Sequence, residues 1–254
     1  MALQQAGLDL APEPILVDRT SFAQPVVVQS WLTGEVHTVP PTTDEVWYRL
    51  LQHFAQIHTV TPDKVTTSIE AAVLNAHTAP AACANVQQQL ARIPIDAQPA
   101  AAQTLIARFT ATSFPVWQPP PLVLCRVDPN ILNFIQRSDS WASVDWENSG
   151  WGDPAFEIAD LITHVAYMHV PATRWDWVID TYCKLVDNPA TAARIQVYRQ
   201  IQTVWWVVRL LRYLYEVPRD LDQRMVAPPA DWQADIQAKY EHYLQAAEAL
   251  YASV

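Results

Sequence analysis

The stretch that decides the fold is Leu122-Val-Leu-Cys-Arg-Val-Asp-Pro-Asn-Ile-Leu-Asn-Phe-Ile135, followed closely by Ser143-Val-Asp-Trp-Glu147. Short apolar and β-branched runs predict three strands here, at residues 122–125, 131–136 and 141–145. The turn-forming residues 137–140 separate the last two runs, so these two strands are expected to pair as a hairpin.

Three side chains that carry oxygen atoms flank these strands. Asp128 lies in the loop after the first strand, Asn133 lies at the mouth of the second, and Asp145 ends the third. A hairpin of this size brings Asn133 and Asp145 side by side, with Asp128 on the adjoining loop. A carboxylate and an amide oxygen suit Mg²⁺ and leave room for phosphate oxygens and water. A second carboxylate can orient an acceptor hydroxyl and take its proton, so the set is typical of phosphoryl transfer.

The flanking sequence is mainly helical in its pattern. Helical spacing of apolar residues predicts a helix over 43–58, begun by Thr43 or Asp44, and residues 66–112 are expected to be mostly helical. Further helices are predicted at about 154–168, 173–186, 190–216 and 231–252, the first of them capped by Asp153. Near the start, two β-branched runs at 14–18 and 25–31 predict a hairpin. This order of elements predicts an α+β fold in which helices dominate.

Composition excludes several classes of protein. Half of the 254 residues are apolar and 17% are charged, which argues against disorder. The formal charge of −10 argues against nucleic acid as a partner, and it would suit a cationic ligand, although acidic solubility is the commoner reason for such a charge. No signal peptide or membrane span is visible, so no membrane partner is expected. The three widely spaced cysteines favour a cytoplasmic location.

Two motifs give the chain a specific resemblance. Val144-Asp-Trp-Glu147 and Gly152-Asp-Pro-Ala-Phe-Glu-Ile-Ala159 are similar to the metal-binding segment of the aminoglycoside phosphotransferase family, which is related to choline kinases and more distantly to protein kinases. In that family the segment before it usually reads His-Gly-Asp-x4-Asn, which residues 126–133 resemble except at the first two positions. The resemblance covers nearly the whole chain, although only residues 122–160 are highly specific.

The resemblance implies a protein-kinase-like C-terminal lobe over 32–254, preceded over 1–31 by a remnant of the N-terminal lobe with its hinge strands. It implies an enzyme that uses Mg²⁺ and ATP, or GTP, to phosphorylate a hydroxyl of a small molecule, with a cationic acceptor as one alternative. Asp128 would be the catalytic base and Asn133 and Asp145 the magnesium ligands. The implied nucleotide contacts are the backbone of Gln29, Ser30 and Trp31, with Phe134 or Ile135 under the ring.

Other acidic residues of these motifs have weaker implied roles. Glu147 is a candidate for the metal shell, with an ordinary surface carboxylate as the stronger alternative. Asp153 and Glu157 are structural or substrate-side candidates, since the helix that follows lines the acceptor cleft in relatives.

The chain departs from the family pattern in two places. Arg126 stands where the family usually has His, and it would either hydrogen-bond nearby carbonyls in place of that His or disturb Asp128. No glycine cluster and no lysine precede the hinge hairpin, so the lobe that carries the phosphate-covering loop and its Lys is expected to be truncated.

Three interpretations of the second departure stay open. The chain is a shortened kinase, a catalytically silent relative that acts as a ligand-binding or protein-interaction module, or an enzyme with a minimal nucleotide site completed by a second subunit. An apolar face exposed where the missing lobe would dock would favour a homodimer.

Overall fold

In the computed structural model of the protein, residues 1–221 and 229–252 are described. Within them the elements are, in chain order, α1 (Ala2–Gln5), β1 (Pro14–Asp18), β2 (Val26–Gln29), β3 (Glu35–Val36), α2 (Asp44–Ile57), α3 (Ala79–Leu90), α4 (Ala100–Ala111), β4 (Val123–Cys125), β5 (Phe134–Gln136), β6 (Trp141–Ser143), β7 (Gly150–Gly152), α5 (Pro154–Thr163), α6 (Ala172–Leu185), α7 (Thr191–Glu216) and α8 (Trp232–Tyr251). Helices contribute most of these residues, which confirms the helix-dominant α+β prediction.

The chain forms two compact units. The first comprises residues 1–75 and 120–195, and the second comprises residues 76–119 and the chain from Gln196 onward. Every residue predicted for the functional site belongs to the first unit. The boundary predicted between residues 31 and 32 is a different division of the chain, and it stays a prediction.

The strands of the first unit form three small sheets. β1 pairs with β2, β4 pairs with β7, and β5 lies between β3 and β6. The predicted hairpin around residues 137–140 is present, with Phe134 opposite Ser143 and Gln136 opposite Trp141. Gly34 permits β3 to approach β5, because a Cβ atom there would lie 2.5 Å from the Gln136 carbonyl oxygen.

Helix α2 fixes the core of the first unit. It begins after Thr43, whose Oγ1 accepts a hydrogen bond from the Val46 N–H at 3.4 Å. Its buried positions recur at helical spacing and include Trp47, Leu50, Leu51, Phe54 and Ile57. The helix therefore presents one continuous apolar face to the interior, where it packs against α6 and β6.

A polar residue on the same helix anchors α2 to the sheet. The His53 ring lies 3.0 Å from the Trp141 carbonyl oxygen through Nδ1 and 3.0 Å from Ser143 Oγ through Nε2. Burial lowers the pKa of His53 to about 3, so the ring is neutral at ordinary pH. A neutral ring can donate to the carbonyl and accept from the hydroxyl, which satisfies both nitrogens.

The second unit contains α3, α4, α8 and α7 from Gln196 onward. Its interior includes an ionic network in which the Glu216 carboxylate accepts from Arg212 Nε and from Arg92 Nε, each at 2.8 Å. Arg212 also donates to the side-chain oxygen of Gln89. The two buried charges, Arg212 and Glu216, thus pair with each other, as burial in a low-dielectric interior requires, and the exposed Arg92 adds a second partner for Glu216.

The structure corrects several details of the sequence prediction. The strand predicted over 131–136 is confined to Phe134–Gln136, and Ile131–Asn133 form a 3-10 turn before it, in which the Asn133 N–H donates to the Asn130 carbonyl at 2.9 Å. Residues 66–78 are not helical, because residues 70–73 run beside β7 and hydrogen-bond to it, with Ala72 N–H donating to the Trp151 carbonyl at 3.0 Å. The strand β7 itself was not predicted, because the short Gly-Trp-Gly run carries no strand pattern. Among the described residues, no helix is both long and apolar enough to cross a bilayer.

Candidate active site

The loop after β4 has an unusual backbone. Val127 and Asp128 both have positive φ, of 58° and 53°, a region that β-branched residues such as valine rarely adopt. The Glu157 carboxylate holds this conformation, because its Oε1 accepts the N–H groups of Arg126 at 2.9 Å and of Val127 at 2.8 Å. Glu157 projects from the first turns of α5, so the helix determines the shape of the loop.

Glu157 is itself fixed by a buried chain of hydrogen bonds. Its Oε2 lies 2.7 Å from His58 Nε2, and His58 Nδ1 lies 2.7 Å from the hydroxyl of Tyr182. Both carboxylate oxygens are thus bound within the protein, and the residue is 1% exposed. Of its two predicted roles, the geometry supports the structural one and not a role at the substrate.

The three side chains of Cys125, His58 and Glu157 lie close enough together to resemble a metal site. The His58 and Glu157 atoms are already joined by short hydrogen bonds. Burial, with the nearby Glu157 carboxylate, raises the pKa of the Cys125 thiol well above its usual range, so the thiolate form that binds metals is disfavoured. We interpret the cluster as structural.

Arg126 resolves the first of the two departures from the family pattern. Its fully buried guanidinium donates to the carbonyl of Asp128 in the loop, and to the carbonyls of Val144 and Asp145 at 2.7 and 3.0 Å. It also lies over the Phe134 ring, 4.8 Å from the centroid. The geometry therefore favours the first alternative, in which Arg126 binds carbonyls and joins the two segments.

The Asp128 carboxylate is held between the side chains of Asn133 and His164. Asn133 Nδ2 lies 3.2 Å from its Oδ2, and His164 Nε2 lies 3.5 Å from its Oδ1. Partial burial alone would raise the pKa of Asp128, but the contact with His164, the Arg126 charge and the Asn130 backbone N–H outweigh burial and lower the pKa. Asp128 is consequently ionised near neutral pH and keeps part of its surface exposed.

The segment after β6 brings Asp145 to the same place. The Val144 N–H donates to the Asn133 carbonyl at 2.9 Å, so the backbones of Asn133 and Asp145 are neighbours across the hairpin. Asp145 has a φ of 61°, and its side chain is exposed while Arg126 holds its carbonyl.

These oxygen atoms fit a magnesium ion by their chemistry. The Asn133 amide turns its nitrogen toward Asp128, which leaves its oxygen available, and the exposed Asp145 carboxylate supplies a second hard ligand. The roles of Asn133 and Asp145 as magnesium ligands stay predictions.

The predicted nucleotide contacts differ in their environments. Gln29 ends β2, Trp31 is 89% exposed, and the Ser30 N–H already donates to the Glu13 carbonyl at 2.9 Å. Phe134 is completely buried, so its exposure does not favour it as the residue under a nucleotide ring, and this contact stays a prediction. Ile135 keeps 9% of its surface exposed and remains the candidate.

Two further acidic candidates are now distinguished by their surroundings. Asp153 caps α5 as predicted, since its Oδ1 accepts the Ala155 N–H at 2.9 Å, and it is buried against Arg194, whose Nε lies 3.2 Å from its Oδ2. These contacts give Asp153 a structural role. Glu147 is exposed on the turn after Asp145, which leaves both of its predicted alternatives open.

Sequence reasoning missed His164 and Asp160, both of which lie on the Asp128 side of α5. The signal that could have found them is their spacing, because Glu157, Asp160 and His164 recur at three and four residues and therefore share one helix face.

Comparison with known proteins places the chain among phosphotransferases. Its sequence matches the phosphotransferase enzyme family over residues 2–198. It is 28% identical over 88 residues to the protein LicA of Haemophilus influenzae, an alignment that covers 32% of this chain and 32% of that protein. The chain thus matches about a third of the length of this relative.

Solved structures share the fold at low sequence identity. A protein of Ralstonia eutropha assigned as an aminoglycoside phosphotransferase matches with a TM-score of 0.71 at 14% identity, over 98% of this chain and 80% of that chain. A choline/ethanolamine kinase family protein of Mesorhizobium loti matches with a TM-score of 0.59 at 19% identity, over 98% and 82%.

Spectinomycin phosphotransferase in complex with ADP and spectinomycin matches with a TM-score of 0.61 at 12% identity, over 98% of this chain and 79% of that one. These likenesses concern the fold, whereas the family match spans well over half of the 254 residues and includes the whole Arg126–Asp160 region. The chain belongs to the phosphotransferase enzyme family.

Proposed function

We propose that the chain is a small-molecule kinase that transfers the γ-phosphoryl group of ATP, or GTP, to a hydroxyl of its acceptor with the help of Mg²⁺. The observation that carries this proposal is the Asp128 carboxylate, ionised and held by Asn133 and His164, next to a segment that presents the exposed Asp145. Phosphoryl transfer depends mainly on positioning and on electrostatic stabilisation, and this site offers both.

Each residue has a distinct task in this proposal. Asp128 orients the acceptor hydroxyl and accepts its proton, while Asn133 and Asp145 hold Mg²⁺, which would neutralise charge on the phosphate oxygens. The backbone of residues 29–31 and the Ile135 side chain contact the nucleotide base in this proposal, and the Ser30 N–H is already bound to the Glu13 carbonyl. Residues 1–31 and 32–254 would then belong to the two sides of the nucleotide site.

The acceptor is proposed to be a small hydroxylated molecule with a cationic group. Relatives with this fold include choline/ethanolamine kinases and a spectinomycin phosphotransferase, and the net charge of −10 favours a cation. A cytoplasmic location is proposed because Cys83, Cys125 and Cys183 are free thiols, which a reducing compartment preserves.

The test combines binding with turnover. Calorimetry with Mg²⁺-ATP is expected to give saturable heat, and phosphate transfer is then assayed with choline, ethanolamine and spectinomycin as acceptors. Asp128→Asn should lower kcat by about 10²–10⁴-fold and spare nucleotide binding. Asp145→Asn should abolish the dependence of ATP binding on Mg²⁺.

Asp139→Asn is the matched control, because Asp139 is an exposed carboxylate on the turn of the same β5–β6 hairpin. Asp139→Asn should change neither kcat nor the dependence of ATP binding on Mg²⁺. Absence of heat with Mg²⁺-ATP at millimolar concentration would contradict the proposal.

A second candidate function is a catalytically silent interaction module that self-associates. The β1–β2 hairpin favours it, because apolar side chains are exposed on both of its faces, including Ile15, Val17, Val27 and Val28. A two-stranded hairpin without a covered face is marginally stable in water. A homodimer through this hairpin is compatible with either function.

A further inference from the structure

The carboxylate of Asp128 is bound on both of its oxygens, but only one of the two donors belongs to the predicted metal site. Asn133 faces Oδ2 at 3.2 Å, whereas Oδ1 faces His164 Nε2 at 3.5 Å. His164 follows the last residue of α5, so the end of that helix sets the position of its ring. The donor on Oδ1 thus comes from a structural element separate from the β5–β6 hairpin.

The tautomer of His164 follows from its second nitrogen. The Ala166 N–H donates to His164 Nδ1 at 3.2 Å, so Nδ1 carries a lone pair and not a hydrogen. In the neutral ring the hydrogen must then reside on Nε2, which is the atom that faces Asp128. The backbone of the 3-10 turn at Val165–Tyr167 therefore selects the tautomer that can donate to the carboxylate.

Packing keeps the ring in this orientation. His164 is 7% exposed, and its ring meets that of Tyr167 edge to face with centroids 6.3 Å apart. A buried ring that is hydrogen-bonded on one side and packed against an aromatic neighbour has little rotational freedom. Its Nε2–H is consequently a fixed donor.

We propose that His164 is a positioning residue for Asp128, in which a neutral imidazole donates from Nε2 to Oδ1 and fixes the plane of the carboxylate. Asn133 fixes the other oxygen, so the carboxylate is oriented before an acceptor arrives. The carboxylate lone pairs that remain then point toward the exposed side, where an acceptor hydroxyl would approach. This proposal rests on the proposed function for its catalytic consequence, but not for the hydrogen bond itself.

Two substitutions separate the tasks of the two ring nitrogens. The side-chain nitrogen of glutamine can occupy the place of Nε2, so His164→Gln retains a donor to Asp128 and loses the acceptor for Ala166. The side-chain oxygen of asparagine can occupy the place of Nδ1, so His164→Asn retains that acceptor and loses the donor.

Kinetics of the two variants form the first test. His164→Gln is expected to keep kcat within about threefold of the wild-type value, and His164→Asn to lower it about 10–100-fold with little change in the KM for ATP. Thermal melting serves as the folding check, and both variants should remain folded at the assay temperature. Equal losses of kcat in two folded variants would overturn the proposal.

A second measurement does not require turnover. Long-range ¹⁵N–¹H correlation spectra of the histidine rings report which nitrogen carries the hydrogen, and His164 is expected to be protonated on Nε2. Asp128→Asn should shift the Nε2 resonance of His164, whereas Asp139→Asn should leave it unchanged. A hydrogen on Nδ1 would overturn the proposal, while a wild-type chain that transfers no phosphate would contradict only the proposed function.

Discussion

At the scale of single residues, the buried guanidinium of Arg126 joins the two segments of the candidate site. It binds the carbonyl of Asp128 on one side and those of Val144 and Asp145 on the other. Arginine can do this because its planar group carries several donors in fixed directions, whereas an imidazole has at most two. The substitution of the usual family His is therefore compatible with an ordered site.

Removal of Arg126 is predicted to destabilise the first unit strongly. Arg126→Met keeps a long side chain beside Phe134 but removes the donor to the Val144 and Asp145 carbonyls and one of the two donors to the Asp128 carbonyl, so the free energy of unfolding should fall by about 3 kcal/mol. Urea denaturation measures this quantity. Arg137→Met is the control, since Arg137 forms a partly exposed ion pair with Asp9 and should cost less than about 1 kcal/mol. Equal effects of the two substitutions would contradict the role of Arg126.

Asp160 gives the protein a pH dependence that can be measured. Burial raises the pKa of Asp160 from 3.8 to about 7, and the nearby Asp128 and Glu157 carboxylates act in the same direction. His164 opposes this rise. At pH values between the two pKa values, Asp160 has lost its proton in the unfolded chain but retains it in the folded chain. The free energy of unfolding therefore falls as the pH rises from about 4 to 7.

Asp160→Asn is expected to remove this contribution. Its melting temperature should exceed that of the wild type by more at pH 8 than at pH 4, because asparagine does not ionise. Asp176→Asn alters an exposed carboxylate on α6, and the difference between its melting temperature and that of the wild type should be the same at both pH values. A melting difference for Asp160→Asn that is independent of pH would show that the carboxyl group does not titrate in this range.

At the scale of elements, α5 organises the site more than any single strand does. Its Glu157 sets the loop before Asp128, its Asp160 lies on the same face, and His164 follows its last turn. The prediction of the helix start at Asp153-Pro154 was confirmed, because cap chemistry is local and readable. The direction in which the helix points its acidic residues could not be read from the sequence.

The β1–β2 hairpin is predicted to mediate self-association. Strand β2 offers an edge of Val26, Val27 and Val28, without the lysines or prolines that usually protect such edges. The double substitution Val27→Lys and Val28→Lys places a charge on each face, and it should shift any dimer toward monomer in sedimentation velocity. Gln24→Lys is the control, because it adds a charge in the adjoining loop and should leave the proportions of dimer and monomer unchanged. A wild-type chain that is monomeric over a wide concentration range would contradict this prediction.

At the scale of the whole molecule, the candidate site lies within one of the two compact units. All of its residues fall in 1–75 or 120–195. Mg²⁺-ATP is therefore expected to slow the hydrogen exchange of backbone amides in peptides from these ranges, relative to the protein without ligand. The effect should be largest around residues 126–145, because bound ligand suppresses local opening. Peptides from 76–119 serve as the internal reference. Protection confined to the second unit would contradict the assignment of the site.

Sequence by itself determined the fold class, the order of the main helices and of the β5–β6 hairpin, and the segment that carries Asp128, Asn133 and Asp145. These features depend on local patterns, since turn residues, helix caps and apolar spacing act within a few positions of one another. Tertiary structure alone decided that Arg126 binds three carbonyls, that Phe134 is buried, and that His164 faces Asp128. Such contacts join residues that are distant along the chain, so only the packing of helices against small sheets brings the atoms within hydrogen-bonding reach.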